Sequence, residues 1–308
     1  MHTSLGIEIK TSAQLAQEKN QPIPTGSTSI TVLSILKAME SFNQELEGDW
    51  SAVTPHQKAF FEHCYPYIDQ LNKYAKDELF GKISTSHEVL NAFLGEQGFD
   101  IQLDPLDPDS IGVVAILKLL LQWRETAETT SIAYEGKTYP AVQMKEHLRF
   151  FGSPAIQTPI LGIWPQKEDT IVMMVPADAR YEGIHLLFRI LEISKEIKGI
   201  KMDGYDEFEV SFPMVSLTNE ADVQWLINLQ KGEEWFVSQA LQENKLRINQ
   251  HGATAESATA MVMTRGISEV YEYVIDQPFF FFTLDTKTRF PTFIAYLAPD
   301  SWKDPESE

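Results

Sequence analysis

Cysteine, positive charge and long apolar runs are all scarce in this chain of 308 residues. Cys64 is the only cysteine, so an intramolecular disulfide and a multi-cysteine zinc site are both excluded. Lysine and arginine together number 25 against 44 aspartates and glutamates, which gives a formal net charge of −19. Because nucleic acids and anionic lipids require concentrated positive charge, this balance argues against either as the main partner.

Segments that direct a chain into or across a membrane are also missing. No run of about 18 apolar residues occurs, and residues 1–21 hold no apolar stretch preceded by basic residues. We therefore predict no membrane span and no signal peptide. The sequence also lacks an Asn-x-Ser/Thr acceptor. These absences predict a soluble protein that is cytoplasmic or exported without a classical signal peptide.

No motif of an enzyme active site is visible. The dinucleotide-binding and phosphate-binding glycine loops, G-x-S-x-G and H-E-x-x-H are all absent. Residues 62–64 (Glu-His-Cys) are the tightest polar group, but adjacent side chains on a helix diverge, so we interpret Cys64 as a half-buried helix residue. Asp104, Asp107 and Asp109 stand among prolines without a loop glycine, which favours a solvated turn over a calcium site. The sequence predicts no enzyme, no metal site and no cofactor.

Hydrophobic spacing predicts a mixture of helices and strands. The helix predictions are one beginning at Ser27–Ser29, one over 55–80 kinked at Pro66, and others over 86–95, 182–198 and 220–231. The strand candidates are 170–176, 208–215 and the apolar run 113–123, which a buried helix would fit equally well. The tail 278–299 predicts a hairpin around a turn at Asp285–Thr288. Because helices and strands do not alternate regularly, α+β with a large sheet is favoured.

Two boundaries follow from composition. Residues 1–26 are polar and contain Pro22 and Pro24, which predicts a flexible N-terminal lead-in. Residues 27–302 then predict a single domain, long enough to bury a sizeable core.

The most informative segment follows Gly252. Over Gly252–Thr259 no residue except Glu256 is larger than threonine, which is unusual for a loop. If the segment is extended, alternate side chains point to opposite faces. One face would carry Ala253, Ala255, Ser257, Thr259, Met261 and Met263, and the other Thr254, Glu256, Ala258, Ala260, Val262 and Thr264. The first face has no charge, so this strand could enter the middle of a sheet without burying one.

This stretch resembles the reactive-loop hinge of serpins, in which a glycine precedes a run of Ala, Ser and Thr. The tail from Pro278 and Phe279 is similar to the family's closing strands, and Ser29 lies in a segment similar to a conserved helix entry. Trp123 ends a run that resembles the central strand carrying the family's tryptophan. The resemblance covers roughly residues 25–300. It implies an α+β serpin-like fold with a large mixed central sheet, additional sheets and helices, and an exposed reactive loop at 251–275.

The function implied by the resemblance is suicide inhibition of a serine or cysteine protease, by loop cleavage and insertion into the main sheet. The implied hinge residues are Gly252, Ala253, Ala255, Ser257, Ala258 and Thr259. The family's spacing places the scissile bond in the window Thr264, Arg265, Gly266 and Ile267. Cleavage at Arg265–Gly266 would suit a trypsin-like target protease, with Gly266 or Met263 as alternatives for the residue that precedes the cut.

Several positions depart from the family pattern. The helix that crosses the front of the main sheet has almost no sequence to form it, between about 100 and 112 by the resemblance. Ala115 and Gln242 replace an Asn and a His, and Gln250 and His251 replace an acidic pair before the hinge. A non-inhibitory serpin-like binding protein that has lost the trap is therefore an alternative. An enzyme with a site that no motif reveals is another.

Overall fold

The computed structural model describes residues 5–118, 121–200, 207–253 and 270–307. In these ranges the helices are α1 (Ser12–Lys19), α2 (Val32–Glu45), α3 (Pro55–His63), α4 (His87–Glu96) and α5 (Gly183–Lys195). Two 3-10 helices cover Tyr65–Lys73 and Gln224–Leu226. None of the helices in the same ranges is both long enough and apolar enough to cross a membrane.

Strands make up most of the remaining regular structure. In chain order they are β1 (Thr28–Thr31), β2 (Trp50–Ser51), β3 (Leu79–Ser84), β4 (Gly112–Leu117), β5 (Leu121–Gln122), β6 (Glu128–Tyr134), β7 (Lys137–Met144), β8 (Leu148–Ser153), β9 (Ile156–Ile163), β10 (Thr170–Pro176), β11 (Lys198–Gly199), β12 (Glu207–Pro213), β13 (Val215–Glu220), β14 (Gln230–Lys231), β15 (Trp235–Phe236), β16 (Glu243–Ile248), β17 (Gly252–Ala253), β18 (Val270–Val274), β19 (Phe279–Asp285) and β20 (Pro291–Leu297). The mixture of helices and sheets predicted from the sequence is thus confirmed.

The core is built on a seven-stranded sheet with the order β1-β20-β19-β10-β9-β8-β11. Its strands β19 and β20 are the predicted C-terminal hairpin, paired antiparallel from Phe279 opposite Leu297. Phe280 and Phe282 pack against α2 and α5 on one face, whereas Phe279 and Phe281 pack into a second cluster on the other. Because both faces of β19 are buried, its apolar residues are consecutive rather than alternating.

A four-stranded sheet has the order β18-β12-β7-β6. Its edge strand β18 runs parallel to β12, with Val270 opposite Glu207 and Val274 opposite Ser211. The predicted loop 251–275 is therefore wrong at its C-terminal end. In residues 270–274 tyrosine alternates with valine and glutamate, and the segment forms a strand because β12 offers its edge for pairing.

The first domain helix begins later than predicted. Thr28–Thr31 form a buried strand that pairs with β20, and α2 begins at Val32. Ser27, Thr28 and Ser29 are good helix caps in isolation, but the ladder to the C-terminal hairpin outweighs that local preference. The helix predicted over 182–198 is confirmed as α5, and the one over 86–95 as α4.

Two other helix predictions hold only in part. The stretch 55–80 is divided into α3 and a 3-10 helix, with the division next to Pro66, which lacks the N–H that would continue α3. In the stretch 220–231 the only helical residues are the 3-10 turn Gln224–Leu226, and the two ends of the stretch belong to β13 and β14. Its apolar residues Val223 and Leu229 are buried by loop packing rather than by a helical face.

The prediction of a flexible lead-in is wrong for residues 12–19. A capping box between Thr11 and Gln14 starts α1, and the Ser12 N–H donates to the Arg180 carbonyl oxygen at 2.9 Å. Ala16 is buried. The polar composition concealed this helix because backbone and capping bonds, rather than an apolar stripe, attach it to the domain.

Candidate functional site

The candidate site is a gap between two strand pairs. Strand β3 pairs antiparallel with β4, and β13 pairs antiparallel with β16. Within the described residues no ladder joins β4 to β16, so each of these two strands has an edge without a strand partner. A cavity of about 220 Å³ lies between them, lined also by Ile35 and Met39 of α2. The run 113–123, for which strand and helix were both open, therefore forms the strands β4 and β5 on one side of this gap.

Both strands that border the gap turn some of their side chains toward the core and the others outward. On β4, Val114 and Ile116 pack against α4 and the segment after it, while Leu117 packs into the core that includes α2. On β16, Leu246 and Ile248 are buried in the core, and Lys245 and Arg247 are exposed. The gap thus has an inner face toward the core and an outer face toward the segment after α4.

At one end of the gap the chain turns back on itself. Gln250 and His251 form the turn, and the Asn249 N–H donates to the Gly252 carbonyl oxygen at 3.0 Å. Gly252 pairs with Asn249 on one side and with Gln122 on the other. The two residues of β17 therefore already lie between β5 and the end of β16. We call this the upper end of the gap, and the end where β4 and β16 begin the lower end.

Gly252 cannot be exchanged for another residue without moving the backbone. Its φ of +135° lies in a region that side-chain-bearing residues rarely adopt, and an added Cβ would lie 2.1 Å from the Leu121 carbonyl oxygen. The pairing with β5 therefore requires glycine at this position.

Trp123 stabilises this turn through two hydrogen bonds. Its indole Nε1 donates to the Asn249 carbonyl oxygen at 3.1 Å, and its backbone N–H donates to the His251 carbonyl oxygen at 3.0 Å. The ring is buried and meets Phe212 edge to face at 6.2 Å between ring centroids. The sequence singled out Trp123 and Gly252 separately, and the structure brings them together at the upper end of the gap.

A hydrogen-bonded cluster under the gap ties β16 to the start of α2. The Gln242 side chain accepts from the Thr31 N–H at 2.9 Å and donates to the Thr31 carbonyl oxygen and Ser34 Oγ, each at 2.9 Å. Thr31 Oγ1 also donates to Asn244 Oδ1 at 2.6 Å. Ala115 on β4 has no polar side chain to join this cluster, so the cluster holds one side of the gap only.

We expect Gln242→Leu to lower the free energy of unfolding by about 2–3 kcal/mol, because it removes the acceptor of the Thr31 N–H and leaves the Thr31 carbonyl oxygen and the Ser34 hydroxyl only their bond to each other. A fall in melting temperature of roughly 5–10 °C would follow for a chain of this size, measurable by calorimetry. The matched control is Gln224→Leu, which removes one exposed bond to the Ala240 carbonyl oxygen. Equal losses in the two variants would contradict the role assigned to the cluster.

An extended segment crosses the outer face of the gap. The family resemblance predicted that the helix usual at this place would be absent. In this segment, 97–106, which we call the strap, Phe99, Ile101 and Leu103 alternate with more exposed residues and pack beside Val114 and Ile116. The structure describes no helix between α4 and β4. The strap is thus an extended cover of the lower part of the gap.

The strap is bonded to both sides of the gap. Glu243 Oε2 on β16 accepts from the Asp100 and Ile101 N–H groups at 2.8 and 2.9 Å. Burial alone would raise the pKa of Glu243, but these two bonds and Lys245 outweigh it and hold that pKa below its usual range. On the other side, the Asn91 side chain of α4 donates to and accepts from the Leu103 backbone. Only the alternation of Phe99, Ile101 and Leu103 in the sequence signals this strap.

Other residues predicted from the sequence lie away from the gap or outside the described residues. Ser29 is buried in β1 and donates to Asn219 Oδ1 at 2.5 Å, while the Pro278 carbonyl accepts from the Ala177 N–H at 2.9 Å just before Phe279 of β19. The remaining hinge and scissile-region residues lie outside the described ranges: Ala255, Ser257, Ala258, Thr259, Thr264, Arg265, Gly266 and Ile267.

The polar group at residues 62–64, considered above as a possible catalytic group, lies at the C-terminal end of α3. Cys64 is fully buried rather than half-buried, and burial raises the pKa of its thiol, so it is not a ready nucleophile. His63 Nε2 lies 3.1 Å from the Leu5 carbonyl oxygen. The possible ligand atoms of Glu125, Glu146 and His147 do lie within 4.8 Å of one another, with both glutamates exposed. Nothing else in the described ranges indicates an ion there.

Comparison with known proteins identifies the fold. The serpin (serine protease inhibitor) family model matches residues 208–298. A serpin from the trematode Schistosoma haematobium is similar in structure with a TM-score of 0.59 and 13% identity, over 93% of this chain and 96% of that one. The thermophilic serpin tengpin in its native state has a TM-score of 0.56 and 12% identity, over 91% and 90%. Human thyroxine-binding globulin complexed with thyroxine has a TM-score of 0.55 and 12% identity, over 92% and 94%.

No curated protein matches the chain by sequence. The structural matches extend over more than nine-tenths of the chain, so the serpin-like α+β fold predicted from the sequence is confirmed. The gap between β4 and β16 is a feature of this chain within that fold.

Proposed function

We propose that this serpin-fold chain inhibits a protease by inserting its cleaved loop into the gap between β4 and β16. The observation that carries the proposal is β17: Gly252 and Ala253 already pair with β5 at the upper end of a gap whose two edges have no strand partner among the residues that the structure describes. A strand continuing from β17 would satisfy both edges. Exposed edges of this kind readily accept another strand.

The register of β17 supports the predicted faces of the inserted strand. Ala253 is opposite Leu121, and Leu121 and Ile248 are both buried in the core on either side of this position. Side chains of directly opposed residues point to the same face. Odd-numbered residues from Ala253 to Met263 would therefore face the core, and none of them is charged.

The length of the segment also fits the gap. Continuing the same register, Val262 would lie opposite Gly112, the first residue of β4. A cut after Arg265 would free a segment that reaches the lower end of the gap. About ten new backbone hydrogen bonds at about 1 kcal/mol each would drive the insertion, together with burial of Met261.

Arg265–Gly266 is our proposed scissile bond, within the window Thr264–Ile267. An arginine before the cut would be recognised by the acidic specificity pocket of a trypsin-like protease. The proposed partner is therefore a serine protease of trypsin-like specificity.

Incubation with trypsin tests the proposal. We expect a complex that survives SDS, and a rise of roughly 20–40 °C in the melting temperature of loop-cleaved chain, since each kcal/mol is worth about 2–4 °C at this size. Trypsin with a blocked active-site serine is the control, because without the acyl bond no such complex can form. Arg265→Gln should prevent the complex with trypsin. Cleavage between Ala253 and Val270 without complex and without a higher melting temperature would instead favour the non-inhibitory alternative.

A further inference from the structure

Two lysines, one on each side of the gap, hold the start of the strap. Lys118, which directly follows β4, donates from Nζ to Gln97 Oε1 at 2.7 Å. Lys245 of β16 donates from Nζ to the Gly98 carbonyl oxygen at 2.6 Å and lies 3.6 Å from Asp100 Oδ2. Because Gln97 and Gly98 are adjacent, the two ammonium groups meet the strap at one place, over the middle of the outer face.

The register of β17 brings one particular loop residue to the same place. Gly252 is paired with Gln122 and with Asn249. An inserted strand that continues this antiparallel register would place Glu256, four residues after Gly252, opposite Lys118 on one side and Lys245 on the other. These lysines lie four residues before Gln122 and Asn249. Both counts give an outer-face position, in agreement with the exposure of the two lysines.

We propose that Lys118 and Lys245 form a two-lysine receptor for Glu256 of the inserting segment. This inference rests on the proposed function, because it requires insertion. Glu256 is the one carboxylate between Gly252 and Arg265, and an inserted strand would place it about 5 Å from each neighbouring strand. Its carboxylate replaces the Gln97, Gly98 and Asp100 contacts, so that the start of the strap is released as the lysines gain a new partner.

This exchange of partners of Lys118 and Lys245 gives a physical role to Glu256, the one acidic residue between Gly252 and Arg265. Once the start of the strap is displaced, Lys118 loses its Gln97 acceptor, whereas Lys245 keeps the Glu243 carboxylate of its own strand, at 3.2 Å. A neutral residue at 256 would leave the charge of Lys118 uncompensated, whereas a glutamate there would lie between the two lysines and pair with either. The pairing also fixes the register, because a shift by one residue would turn Glu256 toward the core.

The test compares Glu256→Gln, Lys245→Gln and the double variant in the full chain, before and after trypsin cleavage of the loop. In the uncut chain, Lys245→Gln should speed amide hydrogen exchange at Gly98 and Asp100 about two- to fivefold, and Glu256→Gln should not. After cleavage, Glu256→Gln should reduce the rise in melting temperature by about 2–4 °C, and adding Lys245→Gln should cost less than the sum of the single effects.

The control is Lys82→Gln, which removes a lysine of β3 that lies over the Phe93 ring, 5.2 Å from its centroid, rather than beside the gap. It should combine additively with Glu256→Gln. An unchanged rise in the cleaved Glu256→Gln variant, or strict additivity with Lys245→Gln, would overturn the two-lysine receptor while leaving insertion intact. No rise in the unaltered cleaved chain would overturn insertion itself, and this inference with it.

Discussion

Valine at position 252 is expected to abolish both the SDS-resistant complex and the rise in melting temperature after loop cleavage. The side chain would meet the Leu121 carbonyl oxygen, since even a Cβ there comes within 2.1 Å of it. The φ of +135° adds backbone strain of about 1–3 kcal/mol. Because β17 is the start of the proposed inserted strand, every later residue depends on this pairing.

The uncut Gly252→Val chain should lose much less. Local separation of β17 from β5 relieves the clash at the cost of a two-residue pairing, so the melting temperature should fall by only a few degrees. Calorimetry of cut and uncut samples measures both effects. The two measurements together separate a defect of insertion from a general defect of folding.

Gly136→Ala is the matched control for Gly252→Val. Gly136 also has a positive φ, +76°, but nothing lies within 4 Å of an added Cβ, and the residue is in the turn between β6 and β7. Gly136→Ala should therefore strain the backbone and leave complex formation intact. If Gly252→Val still formed the complex in full, the assignment of β17 as the start of insertion would be wrong.

The sequence predicted those parts of the site that depend on residue type. A run of small residues after Gly252 indicated a strand that could enter a sheet, and the aromatic tail indicated the hairpin β19–β20. Both predictions rest on residues within one short segment, because a run of small residues or of phenylalanines itself indicates that a strand is buried on both faces. The family resemblance also singled out Trp123, but its position beside the hinge is seen only in the structure.

Contacts between distant segments could not be predicted in the same way. The strap is held by Glu243, which lies more than a hundred residues from Asp100 and Ile101 and accepts from their backbone N–H groups. Nearly every residue has such an N–H group, so residue type could not predict these bonds. The residues of β1 predict a helix start because they are good helix caps. Their pairing with β20, at the other end of the chain, is a distant contact that these residues do not indicate.

The sharpest test of the proposed strand faces is the same substitution on either side of the strand. Ala255→Arg and Ala258→Arg differ by three positions, and so by face. In the register of β17, residue 255 turns toward the core between β4 and β16, whereas residue 258 turns outward opposite Glu243 and Ile116. We expect Ala255→Arg to abolish the rise in melting temperature after cleavage and Ala258→Arg to retain most of it.

The difference has an electrostatic cause. A guanidinium group enclosed in the core without a partner costs roughly 3–5 kcal/mol, and insertion would stop before residue 255 rather than bury it. At residue 258 the same group would lie beside the Glu243 carboxylate, whose pKa is already lowered, and could pair with it. Both uncut variants should melt as the unaltered chain does. Equal losses after cleavage would mean that the inserted strand does not keep the register of β17, and the predicted inner face would then be wrong.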